Sequence, residues 1–319
     1  MRNRFQGALA VVLVALAGVI ALQVLWLREP VYQGKRLNLW LQIYNPDSDS
    51  PEVDEAVRTM GINAIPTLLA NLRATDSALK RALAALRLHL TPAEIRHMRA
   101  ERGFKALGAD ARNAVPALIK IYKQNSSPSA RRAAANALVE IGPAAKQAIP
   151  TLIKSAASTN SDVRAFALYT LGRMAPEPEL VEVLIGGLHD PDRDVRYQAA
   201  YGLSSLAFMG GDAKSAVPAL IEALQDSYPG VRGGAALALG HIHSETGTVV
   251  PALIRSLRDR EVFVRAQAAA ALGEFGTYGR PAVGPLVELL GETNQDARNA
   301  VSKALRAIDA EAATKAGVK

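Results

Sequence analysis

Apolar residues recur at i, i+3, i+4 and i+7 in one segment of this chain after another, the period of helices that bury a single face. The segments come in pairs. The first type reads AVPALIKIY around Pro116, AIPTLIKSA around Pro150, AVPALIEAL around Pro218, VVPALIRSL around Pro251 and VGPLVELL around Pro285, with ELVEVLIGGL filling the same slot without proline. The second type follows each: ARRAAANALVEIG, VRAFALYTLGRM, VRYQAAYGLSSLA, VRGGAALALGHI, VRAQAAAALGEFG and ARNAVSKALRAI. Breakers such as Gly142-Pro143, Asp190-Pro191-Asp192 and Gly210-Gly211 punctuate the series. Each period therefore predicts a helix A, a short turn and a helix B. No strand-like alternation of useful length occurs, so the expected class is all-α.

One column of this pattern is invariant within the chain. Arg131, Arg164, Arg196, Arg232, Arg265 and Arg298 each precede a leucine by seven residues, and successive arginines lie 33, 32, 36, 33 and 33 residues apart. A period of that size marks an array. These residues resemble HEAT repeats, of the short bacterial kind termed phycobilisome-lyase-like. The resemblance implies a right-handed α-solenoid of HEAT-type helix pairs, a fold that mainly presents surfaces. Six repeats are expected over 112–309 and a C-terminal tail over 310–319. Residues 61–111 read as a degenerate N-terminal repeat with an extra helix: AIPTLLANL around Pro66, SALKRALAALRLHL at 77–90, then TPAEIRHMRAERGFKALG. In that last segment Thr91, Pro92 and Glu94 have the spacing of an N-cap, a first-turn proline and a capping box.

The beginning of the chain reads differently. Phe5 to Leu27 is an uncharged run of 23 residues flanked by Arg2, Arg4 and Arg28, enough to cross a hydrocarbon core of roughly 30 Å. It exceeds the apolar stretch of about 7 to 15 residues usual in a cleaved signal, and Trp26 near its end suits a membrane interface. Residues 1–28 are therefore expected to be a signal anchor forming a transmembrane helix, and 29–60 a juxtamembrane helical segment. On this reading the protein is single-pass, in contact with the membrane through residues 5–27, with its bulk on the non-cytoplasmic, periplasmic side.

Composition narrows the chemistry. The 319 residues include no cysteine and only 5% aromatics, which removes disulfides, cysteine zinc sites, iron-sulfur clusters and thiol nucleophiles. The net charge of +7 is regional: residues 71–150 carry 14 basic against 5 acidic side chains, whereas 151–319 carry 17 against 19. A nucleic-acid track along the array is therefore not expected. The basic region 71–150, with Arg96, Arg99, Arg102, Lys105, Lys120 and Lys123, is a candidate contact for an acidic partner or lipid headgroups.

Candidate chemistry is sparse. The six arginines suggest anion binding, but their fixed place in every repeat reads as a structural ladder, each bonding a neighbouring turn, often after Asp162, Asp194 or Asp296 at the cap. His241, His243 and Glu245 lack the further ligands a metal needs, and the His-Glu pairs of HEAT-type deoxyhypusine hydroxylases are missing. No Gly-rich phosphate loop, nucleophile elbow or carboxylate pair occurs, so no catalytic residue, cofactor or metal is expected. In V-R-x-x-A-A-x-A-L-G the alanines and leucine face neighbouring helices, leaving the x slots for the concave face. Those slots hold Arg132, Asn136, Phe166, Tyr169, Arg173, Tyr197, Gln198, Tyr201, Leu237, His241, Gln267 and Glu274. Four aromatics thus gather on two adjacent repeats, and Tyr and Arg are favoured interface anchors. The expected function is a membrane-tethered, non-catalytic protein-interaction scaffold. The alternative implied by the resemblance is an enzyme or enzyme accessory of the bilin-lyase-like HEAT class.

Overall fold

The computed structural model describes residues 29–43, 50–76, 91–124 and 127–318. The apolar run 5–27 and the segment 77–90 lie outside these residues. Among the described residues no helix is long and apolar enough to cross a membrane. The single-pass, periplasmic placement is accordingly corrected, because no spanning helix supports it.

The chain is an all-α solenoid of helix pairs, and it divides into two compact units, Met1–Ala145 and Lys146–Lys319. The first unit opens with a feature that the helical periodicity hides. Val31–Tyr32 (β1) and Lys35–Arg36 (β2) form a minute antiparallel hairpin with Val31 opposite Arg36. Gln33 and Gly34 turn it with φ of 47° and 73°, the positive pair that matches strand twist in a two-residue turn. Helix α1 (Leu37–Ile43) follows, with Leu37, Trp40 and Leu41 buried, and the Trp40 indole Nε1 donates to the Tyr32 carbonyl at 3.0 Å.

Helices α2 (Pro51–Met60), α3 (Ile65–Leu72), α4 (Ala93–Leu107), α5 (Val115–Gln124) and α6 (Pro128–Ile141) complete this unit. Pro51, Pro66, Pro116 and Pro128 sit in first turns, where no amide hydrogen is needed. Helix α4 starts one residue later than the Thr91 box implies, with Pro92 rather than Thr91 at the N-cap. Its first amide, Ala93 N–H, donates to both Asp76 carboxylate oxygens at 3.0 and 3.1 Å, a cap delivered from 17 residues upstream. Three polar ties cross the helices. Asn71 donates to Asn38 at 2.9 Å and accepts from Arg96 Nε and Nη2. Arg102 pairs with Asp54 through two bonds. The buried His97 ring lies between the Ser129 hydroxyl and the Ala74 carbonyl. Arg96 and Arg102 are therefore committed within the unit, and burial lowers the Arg99 guanidinium below its usual value. The basic segment is not an evenly solvated face.

The second unit alternates A helices α7 (Ile149–Ala156), α9 (Pro178–Leu188), α11 (Val217–Ala223), α13 (Thr246–Ser256) and α15 (Val283–Glu288) with B helices. The B helices are α8 (Ser161–Leu171), α10 (Arg193–Phe208), α12 (Pro229–Ile242), α14 (Val262–Glu274) and α16 (Gln295–Ile308). Each B helix packs on the next along much of its length, whereas successive A helices touch at few points. The B layer can be tight because small residues meet there. A Cβ added at Gly172 would lie 2.3 Å from the Gly202 Cα, and one at Gly240 would lie 2.8 Å from the Ala271 Cα. Residues 310–315, read above as part of a tail, form a short helix α17 (Ala310–Lys315), capped by Asp309 accepting from the Ala312 amide at 3.0 Å.

This packing separates two glycine substitutions. Gly172→Ala forces α8 and α10 apart and is expected to cost about 1–3 kcal/mol or more, as overpacking does. Gly186→Ala meets nothing within 4 Å and should gain about 0.5–1 kcal/mol of helix propensity. Thermal and urea melts of the two variants check the opposite signs.

Candidate functional site

The turn edge of the second unit is one connected polar chain. Arg164 binds Asp190 through Nε and Nη2, both at 2.7 Å. Arg196 binds Asp226 at 2.6 and 3.1 Å, Arg232 binds Asp259 at 2.6 and 2.7 Å, and Arg265 binds Glu292 with Nε at 2.7 Å. Each arginine also donates Nη1 to its own turn: Arg196 to the Asp190 carbonyl, Arg232 to Asp226, Arg265 to Asp259, Arg298 to Glu292. Every one of these acids thus joins two arginines, one by its side chain and one by its backbone. The carboxylates of Asp190, Asp226 and Asp259 further accept the amides of Asp192, Tyr228 and Glu261. Arg131, in the other unit, makes no ion pair with a described carboxylate; the residue six before Arg164 is Ser158, where the later turns place their acid.

These bonds set the charge states. Arg164 hydrogen bonds hold the Asp190 carboxyl below its ordinary range. At Asp226 and Asp259 burial pulls upward most strongly, and the arginine bonds together with the turn amides outweigh it, so both are also lowered. The guanidiniums of Arg164, Arg196 and Arg232 are raised by the same bonds. The caps lie two residues before the acids named from sequence: Ser127, Asn160, Asp192 and Asn294 accept the first-turn amides, while Asp162, Asp194 and Asp296 sit within the first turn.

Beside this edge the B helices carry an aromatic surface. Tyr197 and Tyr201 pack 4.6 Å apart, Tyr228 meets Tyr197 edge-on at 6.2 Å, and the Arg193 guanidinium lies over the Tyr228 ring at 5.1 Å. On α8, Phe166 stacks on Tyr169 at 5.8 Å, and Arg173 donates to the Tyr169 hydroxyl at 2.7 Å. The rings rest on glycine. A Cβ at Gly230 would lie 2.8 Å from Tyr197 Cδ2, one at Gly234 2.8 Å from Tyr201 Cδ2, and one at Gly233 2.5 Å from Phe263 Cε1. Burial first, then Tyr197, pushes the Tyr201 hydroxyl up to about 12. Phe263 stays 45% exposed although its ring covers Gly233.

The structure therefore gathers Phe166 and Tyr169 on α8, with Arg173 two residues past its end, and Tyr197 and Tyr201 on α10, with Gln198 half-buried beside them. Leu237 and Gln267 are half-buried and Glu274 is exposed. His241 is engaged, its Nδ1 3.0 Å from the Ser204 hydroxyl and its ring 5.2 Å from Phe208. His243 ends α12 in the left-handed region with its ring edge-on to Phe275. Among the described residues no group of three or more His, Asp or Glu lies close enough to hold a metal. Arg132 and Asn136 belong to the first unit, where Asn136 donates to Glu101 at 2.9 Å and Arg132 stands 3.7 Å from Glu94. Tyr228, Phe263, Arg193 and Gly230 fall outside the x slots of the repeat pattern, while Gly233 and Gly234 fill two of them without a side chain. Aligned columns hold the signal: Tyr228 stands where other repeats have Ser127, Asn160, Asp192 or Asn294, and VRGGAALALG has glycine where its neighbours have Phe166, Tyr197 and Gln198.

The repeated pair, its shared edge and its small-residue B layer define an α-solenoid. Its repeats are HEAT repeats: the family model described as HEAT repeats matches residues 115–204, 149–240 and 205–273, and that of the PBS lyase HEAT-like repeat matches 264–292. No curated protein matches the chain. Among solved structures it is similar to an engineered protein, 24% identical over 87% of this chain and 77% of the other with a TM-score of 0.51, a likeness of fold alone. It is also similar to the complex of CpcE and CpcF of phycocyanin lyase from Nostoc sp. PCC7120, 29% identical over 50% of this chain and 98% of the other, with a TM-score of 0.42. Likeness at that TM-score carries no argument about activity.

The ladder predicts an acid limb of stability. The lowered carboxylates contribute stability above their unfolded value of about 3.9 and lose it as pH falls through their folded values. Melting temperature should therefore stay level above about pH 5 and drop below about pH 4. Asp259→Asn should lower stability at neutral pH and flatten the acid limb. A double-mutant cycle of Arg232→Ala and Asp259→Ala is expected to return a coupling of about 1.5–3 kcal/mol.

Proposed function

We propose that this protein is a non-catalytic protein-interaction scaffold whose partner docks on the B-helix face of the second unit, around Tyr197, Tyr228 and Phe263. One observation carries the reading: helix α12 gives up local stability where those rings sit. Gly233 and Gly234 are interior helix positions, each costing about 0.5–1 kcal/mol relative to alanine. Tyr228 occupies the N-cap without a capping bond, forgoing about 1 kcal/mol that Asn or Asp would supply. A sequence that breaks local rules at one place marks a functional surface. Core filling does not account for it, since Phe263 remains nearly half exposed over its glycine. Rigid rings beside Arg193 and Arg173 are the residue types that anchor interfaces, and repeat arrays bind along such faces.

A second reading, an enzyme or accessory of the bilin-lyase-like class, is favoured by the PBS lyase HEAT-like match over residues 264–292. A chromophore or metal that stays with the purified full-length chain in stoichiometric amount would replace the scaffold reading.

The scaffold reading makes a sharper demand. A photo-crosslinking residue at Tyr228 or Phe263 should yield one discrete protein adduct in cells, and the same residue at Gly186 on an A helix should not. Tyr228→Asn should keep or raise the melting temperature through its new cap while Phe263→Ala leaves it nearly unchanged, and each should weaken the adduct. Equal crosslinking from both faces, or a loss of several kcal/mol in Phe263→Ala like a core truncation of about 3–5 kcal/mol, would remove this site.

A further inference from the structure

Resting on the scaffold reading, we infer the chemistry of the partner: an acidic, extended protein segment whose carboxylates enter an arginine groove at the foot of the aromatic surface. The groove, about 530 Å³, lies between two successive A–B turns and is lined by Leu224, Ser227, Arg232, Arg255, Arg258 and Arg260 among others. Its two acidic wall residues are already neutralised, Asp226 by Arg196 and Asp259 by Arg232, each in a bidentate pair. The remaining cations are not. Arg255 and Arg258 are exposed and have no carboxylate within ion-pair distance among the described residues, and Arg260 reaches only the exposed Glu261 at 3.9 Å. The groove is left with a surplus of positive charge.

That surplus is local to one repeat. The two columns that hold Arg255 and Arg258 hold Lys154 and Ala157, Gly186 and His189, Glu222 and Gln225, and Glu288 and Gly291 in the other repeats of this unit. A requirement of the fold would recur, as the ladder does. Groove and platform are also continuous along the chain. Tyr228 follows Ser227 and its amide is held by Asp226 at 2.7 Å, while Phe263 lies three residues after Arg260. A segment with one apolar side chain on the rings would therefore reach the arginines with its neighbours.

Charge also limits the length of the anion. Asp194, Glu261 and Asp296 are exposed on the same turn edge, and residues 151–319 carry 17 basic against 19 acidic side chains. A nucleic acid, which needs a continuous basic track, would meet repulsion on either side of the groove. A short acidic peptide would not.

The probe is a fluorescein-labelled decapeptide of Asp and Glu around one Trp, compared with its Asn and Gln counterpart and with single-stranded DNA of matched length, on the full-length chain. The acidic peptide should bind, its neutral counterpart should not, and binding should weaken steeply with salt. Arg255→Glu with Arg258→Glu should weaken it by about tenfold or more, with the milder pair Arg255→Gln and Arg258→Gln weakening it less at an unchanged melting temperature. No binding of the acidic peptide, or equal binding by either double variant, overturns the groove while leaving the crosslinking test of the scaffold intact. Binding lost in the arginine variants but unchanged in Phe263→Ala keeps the groove and removes the platform. Tighter binding of the DNA than of the peptide overturns the acidic-segment assignment.

Discussion

The second unit depends on a single repeated interaction, the arginine that opens each B helix and grips two turns at once. Its fork holds the backbone carbonyl of its own turn and, through Arg265, the carboxylate of the next. Arg164, Asp190, Arg196, Asp226, Arg232, Asp259, Arg265, Glu292 and Arg298 consequently form one unbroken chain along the turn edge. Planar bidentate geometry gives this contact direction as well as strength. A turn that must present a carboxylate, a carbonyl and a donating amide together tolerates little drift, which explains why the arginine column keeps nearly constant spacing. Among the described residues Arg298 binds the Glu292 carbonyl and Gln295 and meets no carboxylate, so this chain of bonds stops there.

Stability in such an array is a sum of repeats and nearest-neighbour interfaces. The ladder secures one edge, and the glycine and alanine contacts of the B layer secure the interior. With those two set, the remaining outward positions are free of folding duty. The chain uses that freedom unevenly. It caps α6, α8, α10 and α16 with Ser127, Asn160, Asp192 and Asn294, yet leaves the adjacent α12 and α14 without a side-chain cap at Tyr228 and Glu261, and puts the glycines of α12 under the rings. The same stretch of the array holds Arg255 and Arg258, which have no carboxylate within ion-pair distance among the described residues. Departures from the repeat therefore cluster, and they cluster where rings and positive charge meet.

Much of this was legible in the sequence by itself. Periodicity and the arginine column determined the all-α helix pairs and the repeat register, because a buried stripe and an obligatory ion pair both impose fixed spacing. The concentration of Phe166, Tyr169, Tyr197 and Tyr201 on adjacent repeats was visible for the same reason. Other features were not. The hairpin at 31–36 is too short to show alternation, and the Asp76 cap of α4 comes from 17 residues upstream. Only the tertiary structure decided that Phe263 stays 45% exposed over Gly233 while Tyr201 is half-buried against Gly234, and that Arg255 and Arg258 have no carboxylate within ion-pair distance among the described residues while Arg232 has Asp259. Exposure and charge pairing depend on which side chains of the next repeat arrive within a few ångströms, and no one-dimensional spacing contains that distance.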